Sequence, residues 1–250
     1  GWPRTWADRL HVWKWDVKCG RLSPTFDDMA HDMYRPAPPP LSPGLMLRAY
    51  AAGIFPMSEG ADDPTLFWVD PQRRGIFPLG GFHISRSLRR RIRQGGFEVR
   101  VDSDFSGTVE GCADREPTWI NGEIYRCYMA LHAMRRAHSV EVWQEGELTG
   151  GVFGVVMGGA FFGESMFSRR TDASKIALAW LVARLNYGGF RLFDTQFVTE
   201  HLESLGAVEI PRADYRDRLQ EALRTDADFG AMPPDLPAQE VLEHLRTHTS

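Results

Sequence analysis

The chain has few cysteines and no long hydrophobic run, and both absences exclude whole classes of protein. Its three cysteines, Cys19, Cys112 and Cys127, form no Cys-x-x-Cys pair, which argues against a disulfide framework, a zinc site or a thioredoxin-type motif. No stretch reaches the ~18 consecutive apolar residues of a membrane span, and the first thirty residues do not resemble a signal peptide. We therefore expect a cytoplasmic protein that neither spans a membrane nor is secreted.

Metal-binding and nucleophile motifs are also missing. His83, His132, His138 and His201 lack the spacing of metal ligands, and no Ser, Cys or Lys lies in a recognised nucleophile motif. Gly158-Gly159 is typical of a hairpin turn, since no helix follows it to form a phosphate-binding loop. We expect neither a metal ion nor another cofactor.

Charge is distributed unevenly along a chain of otherwise ordinary globular composition. Hydrophobic residues make up 43% and charged residues 25% of the 250 residues, and the net charge is −4. Residues 72–100, however, hold eight arginines and one acid, Glu98, so this segment carries +7 and the remainder −11. Such a segment is typical of a surface that binds the phosphates of a polyanion, although a solvated helix face would have the same composition.

Four of these arginines are predicted to share one face of a helix. Ser85 is a good N-cap and Gly95-Gly96 ends the helical pattern. The four positions follow the spacing i, i+3, i+4 and i+7, which places them side by side. This arginine stripe consists of Arg86, Arg89, Arg90 and Arg93.

The predicted order of elements is that of an α+β protein. A helix opens at Ser42-Pro43 and ends at Gly53, and a second, capped by Asn121, buries Ile124, Tyr128 and Leu131. A helix capped by Thr171 or Asp172 buries the face of Ile176, Ala179, Trp180, Ala183 and Tyr187, and the last helix begins near Thr199. The predicted strands are 66–69, 97–101, 190–197, which we place centrally in the sheet, and an antiparallel meander of 139–144, 148–157 and 160–167.

Composition divides the chain into four parts. We predict an N-terminal appendage with a Pro-rich linker (1–40), a small N-terminal α/β subdomain (41–80), a larger domain (81–223) and a mobile, polar C-terminal tail (224–250). The larger domain is expected to have a mainly antiparallel sheet flanked by helices.

Asp194 and Gln196 form the first candidate site. Residues two apart project from the same face of a strand, so these two share a face that Phe193 and Thr195 do not. Polar groups in an apolar strand cost desolvation energy unless they bond to each other or to a ligand. An ionised Asp194 could accept an N–H of the Gln196 amide, so that the amide oxygen accepts an amine proton more strongly. The alternative is a structural polar pair that fixes a loop.

Glu164 is the second candidate, since it ends an apolar strand. A buried acid requires a cation, which is either Arg169 or Arg170, or else the ammonium group of a bound amino acid. Nearby apolar residues are ordinary core or the walls of a pocket, and spacing does not distinguish these roles. They are Val152, Met166, Leu181 and Phe193.

Nine short runs together carry a resemblance to a known family. They are Gly-Ile-Phe-Pro (53–56), His-Ile-Ser-Arg-Ser (83–87), Glu-Gly-Cys-Ala (110–113), Thr-Trp-Ile (118–120), Ala-His-Ser-Val-Glu-Val-Trp (137–143), Gly-Glu-Ser-Met-Phe-Ser (163–168), Ala-Ser-Lys (173–175), Asp-x-Gln (194–196) and Ser-Leu-Gly-Ala (204–207). In combination they are highly specific and cover roughly residues 41–223. The chain resembles the leucyl/phenylalanyl-tRNA–protein transferases, which move an amino acid from aminoacyl-tRNA to the N-terminal amine of a protein.

The resemblance implies a fold, a reaction and roles for the candidate residues. The fold is a GNAT-like (N-acetyltransferase-like) domain after a small family-specific one. Leu or Phe, with Met as a further candidate, is transferred to proteins that begin with Arg or Lys, which marks them for degradation by the N-end rule. Asp194 and Gln196 are implied in catalysis, and Glu164 in holding the α-amino group. Val152, Met166, Leu181 and Phe193 are implied in the side-chain pocket, Trp119 at the terminal adenosine and the arginine stripe at the acceptor stem.

The chain departs from the family at Met57, where a Trp that contacts the adenosine often stands; a thioether offers less stacking area.

We expect a monomer without cofactor. The alternatives are an acetyl-CoA-dependent N-acetyltransferase and a non-catalytic tRNA-binding module. The first requires a glycine-containing pyrophosphate turn before the helix, and residues 167–172 contain no glycine.

Overall fold

Two β-sheets organise the part of the chain that the computed structural model describes, residues 10–16, 21–23 and 41–245. The strands are β1 (Leu10–Asp16), β2 (Arg21–Ser23), β3 (Phe55–Met57), β4 (Phe67–Pro71), β5 (Arg73–Ile76), β6 (Glu98–Val101), β7 (Ala137–Gln144), β8 (Glu147–Met157), β9 (Ala160–Ser168), β10 (Leu192–Gln196) and β11 (Val208–Pro211). The helices are α1 (Pro43–Ala51), α2 (Arg86–Gln94), α3 (Phe105–Ala113), α4 (Gly122–Ala133), α5 (Ala173–Tyr187), α6 (Glu200–Ser204), α7 (Arg212–Leu223) and α8 (Ala238–His244).

The larger sheet has seven strands in the order β11-β5-β10-β9-β8-β7-β6. Strands β6 to β9 are antiparallel neighbours, and β10 returns after α5 to lie parallel to β9 and antiparallel to β5. The predicted meander and the mainly antiparallel sheet flanked by helices are confirmed. Strand β10 is an interior strand, but the central position belongs to β9.

The larger sheet separates two apolar cores. Successive residues of a strand point to opposite faces, and accordingly Phe161 and Phe193 belong to the core under α5, whereas Phe162 and Leu192 belong to the core shared by α1, α3, α4 and α7. The cores hold these helices on the two faces of the larger sheet. The helix caps predicted at Ser42, Ser85 and Asn121 are confirmed, each side chain accepting backbone N–H groups of its helix.

Helix α5 is buried on nearly all sides, which corrects the prediction of a single buried face ending at Tyr187. The sheet covers one side and helices α2 and α8 cover another, while Tyr187 is 42% exposed. Helix α8 also corrects the prediction of a mobile tail for the described residues up to 245. It packs on α5 because Val241, Leu242 and Leu245 are apolar and join its core.

The four-stranded sheet, in the order β2-β1-β4-β3, contains strands that the sequence analysis missed. Strands β1 and β2 lie in the segment predicted to be an appendage. They pair with each other, and β1 also pairs with β4. The Pro-rich part of that segment lies outside the described residues. The chain also continues past the helix predicted as the last, α6, through β11 and two further helices. Within the described ranges, no helix combines the length and the hydropathy that crossing a bilayer requires.

Candidate functional site

A cavity of about 500 Å³ opens beside the end of β10, a size typical of ligand pockets. Its walls come from three places: residues 55–59, residues 115 and 117–119, and the second half of β9 with the end of β10 and helix α6. Five predicted site residues meet in its lining. They are Met57, Trp119, Glu164, Met166 and Gln196.

The Glu164 carboxylate is 8% exposed and is held by uncharged donors rather than by a cation. Its Oε1 accepts from the Tyr50 hydroxyl at 2.6 Å, and its Oε2 accepts from the Tyr128 hydroxyl at 2.8 Å and from Gln196 Nε2 at 3.0 Å. A carboxylate has about four acceptor positions, so one remains on Oε1. Because Glu164 lines the cavity, that position suits one N–H donor of a ligand.

The arginines that follow Glu164 in sequence do not pair with it. Arg170 forms ion pairs with Glu145 at 2.8 Å and Glu147 at 3.5 Å, and Arg169 donates to the Leu148 carbonyl oxygen at 3.4 Å. The structural alternative considered for Glu164 is therefore wrong.

Burial raises the pKa of Glu164 to about 7, against the lowering effect of its hydrogen bonds from Tyr50, Tyr128 and Gln196; the negative charge of Asp194 raises it further. Burial, and then the charge of Glu164, also raises the pKa of Tyr50 and of Tyr128 well above the usual value of a phenol. Both phenols consequently stay protonated and act as permanent donors to the carboxylate.

Gln196 lies in a strained turn at the end of β10. Its φ is +62°, and the Phe197 N–H donates to the Thr195 carbonyl oxygen at 2.6 Å, so residues 195–197 form a three-residue turn, which is uncommon with a positive central φ. We call this the Thr195–Phe197 turn. Strain of this kind is concentrated at functional sites. The amide N of Gln196 is bound to Glu164, and its amide oxygen accepts no hydrogen bond from the described residues and is free for a ligand.

Asp194 is completely buried and lies behind the cavity rather than in it. Its Oδ1 accepts from Arg74 Nε at 2.9 Å and from the backbone N–H of Gln196 at 2.8 Å, while Oδ2 accepts from Arg74 Nη2 at 2.6 Å and the Tyr215 hydroxyl at 2.8 Å. All four acceptor positions are used. The predicted contact between this carboxylate and the Gln196 side-chain amide is thus wrong, because Glu164 takes that amide and Asp194 takes the backbone.

Arg74 is the buried cation that pairs with the Asp194 carboxylate. Burial alone would lower its pKa, but the negative charge and the hydrogen bonds of Asp194 raise the pKa overall. The guanidinium is therefore permanently charged and binds the Asp194 carboxylate through two parallel hydrogen bonds, a strong arrangement for an arginine and a carboxylate. Sequence analysis had counted Arg74 only as part of the basic segment.

Three predicted pocket residues do not reach the cavity. Val152, Leu181 and Phe193 are at most 4% exposed and belong to the core under α5. Met166 connects the two regions, because it lines the cavity, packs on that core and pairs with Val152 across β8 and β9. Val152 is thus the neighbour of Met166 across the two strands, and all three residues belong to the core on which Met166 packs.

The arginine stripe forms a separate groove of about 360 Å³ together with Gln94. Leu88 and Ile92 anchor the opposite face of α2 in the core, and within the described part of the chain the stripe forms no ion pair. Helix α2 begins near the cavity wall, since the His83 N–H donates to the carbonyl oxygen of Leu205 at the end of α6, whose Leu202 lines the cavity.

Cysteine and metal chemistry find no support among the described residues. Burial raises the pKa of Cys112 to about 12 and that of Cys127 to about 11, so both stay as thiols; Cys19 lies outside the described ranges. The described side chains include no group of three His, Cys, Asp or Glu residues arranged to hold a metal ion.

Comparison with known proteins finds one family over most of the chain. Family models described as leucyl/phenylalanyl-tRNA protein transferase match residues 76–220, and as the N-terminal domain of the same family residues 40–72. The chain is 66% identical over 209 residues to a protein from Jannaschia sp. (strain CCS1) named leucyl/phenylalanyl-tRNA–protein transferase. It is 62% identical over 210 residues to the protein of the same name from Ruegeria pomeroyi. Each match covers 84% of this chain and 99% of the relative. The protein of that name from Cereibacter sphaeroides (strain ATCC 17025) is 66% identical over 197 residues, which is 79% of this chain and 91% of the relative. The chain therefore belongs to the leucyl/phenylalanyl-tRNA–protein transferase family.

Proposed function

We propose that this protein transfers Leu or Phe, with Met as a further candidate, from aminoacyl-tRNA to the N-terminal α-amine of proteins that begin with Arg or Lys. The product would be a substrate for degradation by the N-end rule. The observation that carries the proposal is the contact between Glu164 and Gln196 in the cavity lining, with one carboxylate position and one amide oxygen left free.

The donor enters the cavity with its aminoacylated adenosine. Trp119 and Met57 lie in the lining where the base stacks, and the free position of Glu164 accepts an N–H of the α-ammonium group. The amino acid side chain packs on Met166, which itself packs on the core that contains Val152, Leu181 and Phe193. Apolar pockets separate side chains differing by one methylene by only about 1–3 kcal/mol, so several hydrophobic residues are accepted.

The arginine stripe holds the tRNA acceptor stem. Its four guanidinium groups are free of carboxylates among the described residues and share one groove. Arginines that neutralise phosphates gain free energy from counterion release.

The reaction needs alignment more than chemical activation, because the aminoacyl ester is already reactive. The neutral α-amine of the acceptor attacks the ester carbonyl carbon, the C–N bond forms, the bond to the ribose oxygen breaks, and the amine proton passes to that oxygen. Gln196 orients the amine through its free amide oxygen; an amide is a poor base, so its role is positioning and charge stabilisation. Asp194 acts indirectly by fixing the backbone of Gln196. Orientation of this kind lowers a barrier by several kcal/mol.

The finer structural and cellular expectations belong to the same proposal. A GNAT-like relationship for residues 81–223 is supported by the β7–β8–β9 meander followed by α5 and a strand parallel to β9. The small domain at 41–80, action as a monomer and a cytoplasmic location are proposed with it, the last because aminoacyl-tRNA is made where translation occurs.

One assay separates the candidate functions. The full chain is incubated with radiolabelled leucyl-tRNA and a peptide that begins with Arg, and in parallel with acetyl-CoA and the same peptide. Labelled peptide supports the proposal, acetylated peptide supports an N-acetyltransferase, and tRNA binding without either product supports a non-catalytic tRNA-binding module.

A further inference from the structure

Arg74 contacts both walls of the cavity without lining it. Its side chain is 1% exposed. Two of its nitrogens bind the Asp194 carboxylate, which holds Gln196, and Nη1 donates to the Gly53 carbonyl oxygen at 2.9 Å. Gly53, with φ +80°, opens the segment that runs through Phe55 to Met57 and forms the facing wall. We call this the Gly53–Met57 segment; it includes strand β3.

Aromatic rings enclose the same guanidinium and give a second route between the walls. The guanidinium carbon of Arg74 lies 4.6 Å from the centroid of the Phe55 ring and 4.5 Å from that of Tyr215. Phe55 then meets Phe197 edge to face, with centroids 5.6 Å apart. Phe55 and Phe197 both line the cavity, so the guanidinium supports one wall directly and the other through a ring contact.

The residue after Arg74 fits the Thr195–Phe197 turn closely. Gly75 pairs with Gln196, and a Cβ atom at Gly75 would lie 2.6 Å from the Phe197 carbonyl carbon and 2.9 Å from Thr195 Oγ1. The turn therefore packs directly on the backbone of β5. Because this packing leaves no space, a displacement of β5 at Arg74 would also displace Gln196.

We propose that Arg74 is a positioning residue that fixes the Gly53–Met57 segment relative to the Thr195–Phe197 turn and thereby places Gln196 for the transfer step. The inference rests on the proposed function. Lysine at this position would keep the charge but lose the planar double contact and the third hydrogen bond. The groups that touch the donor would then still be present, but Gln196 would be displaced.

The test compares Arg74→Lys with Arg184→Lys. Arg184 is a matched control because it is 5% exposed and donates to the backbone oxygens of Phe229 and Met232 at 2.9 and 3.2 Å, away from the cavity lining. We expect kcat of Arg74→Lys to fall about 100-fold, the cost of a misplacement of ~1 Å, with little change in KM for leucyl-tRNA. Arg184→Lys lowers Tm and keeps the wild-type kcat. A wild-type kcat in Arg74→Lys, or an equal loss in the control, overturns the proposal.

Tyr215→Phe provides a second measurement that does not depend on the folding of Arg74→Lys. It removes one hydrogen bond from Asp194 Oδ2 and leaves the ring over Arg74 in place. We expect kcat to fall about tenfold, as for the loss of one hydrogen bond to a charged group, with KM for leucyl-tRNA unchanged. An unchanged kcat overturns the proposal. If the wild-type protein transfers no aminoacyl group, the proposed function fails instead.

Discussion

The side-chain amide of Gln196 donates to Oε2 of Glu164 at 3.0 Å, across 32 positions of the sequence. This contact orients the amide, since its nitrogen is bound to Glu164 and its oxygen accepts no hydrogen bond from the described residues. It also uses one of the carboxylate's acceptor positions, so that a ligand finds only one left. In the proposed reaction the two residues have different tasks: Glu164 binds the aminoacyl donor and Gln196 orients the acceptor amine.

Gln196→Ala removes the side-chain amide that we propose orients the acceptor amine. We expect kcat to fall about 100-fold, within the range for positioned proton-handling groups, while KM for the donor changes little. The measurement is steady-state transfer from leucyl-tRNA. Gln220→Ala, an exposed position on α7, is the control and should turn over like wild type. Wild-type turnover in Gln196→Ala would show that the amide has no part in the reaction.

Glu164 makes the stability of the protein depend on pH. Its pKa of about 7 in the folded state lies above the ordinary 4.5, so between these values the folded protein binds more protons than the unfolded chain. The free energy of unfolding therefore decreases as pH rises from ~4.5 to ~7, by on the order of 3 kcal/mol from this group. Chemical denaturation at pH 5 and pH 8 should show a smaller decrease in Glu164→Gln. The same decrease in both proteins would exclude this carboxylate as the source.

Activity should also depend on the ionisation of Glu164, but it should increase with pH where stability decreases. Only the ionised carboxylate attracts the α-ammonium group, so kcat/KM for the donor increases through about pH 7. Tyr50→Phe removes a hydrogen bond that lowers the pKa of Glu164, and we expect the midpoint of the pH profile to move upward. Tyr125→Phe, whose hydroxyl donates to the distant Glu110, is the control. A midpoint that stays in place in Tyr50→Phe would contradict the assignment.

Single substitutions in the arginine stripe should change the salt dependence of tRNA binding. In each of Arg89→Gln and Arg90→Gln, loss of one phosphate contact reduces the slope of log K against log salt by about one and weakens binding of all tRNAs alike. Binding is measured by fluorescence anisotropy across a salt series. Arg218→Gln, an exposed position on α7, should leave the slope unchanged. Equal slopes in the stripe variants and wild type would assign the tRNA to another surface.

The sequence predicted the helices and strands that are determined by residues close to one another along the chain. The caps at Ser42, Ser85 and Asn121 and the meander depend on residues within a few positions of each other. The strand period also placed Asp194 and Gln196 close together. The β1 strand was missed because it is defined by pairing with β4, more than fifty residues away.

The remaining site could not be derived because its contacts are long-range. Arg74 meets Asp194 across 120 positions, and Tyr50 meets Glu164 across 114. The sequence identified Tyr128 as one of the inward residues of α4, but nothing in it indicated that its hydroxyl donates to Glu164. A buried acid was correctly expected to need compensation, yet the sequence offered two adjacent arginines, whereas the fold supplies two phenols and an amide.

A structure of the full chain with a non-hydrolysable leucyl-adenosine analogue tests the central claim most directly. The account predicts that the α-nitrogen lies within hydrogen-bonding distance of Glu164 Oε1, that the adenine contacts Trp119, and that the leucine side chain packs on Met166. An analogue bound outside this cavity, or one whose α-nitrogen does not contact Glu164, would contradict it.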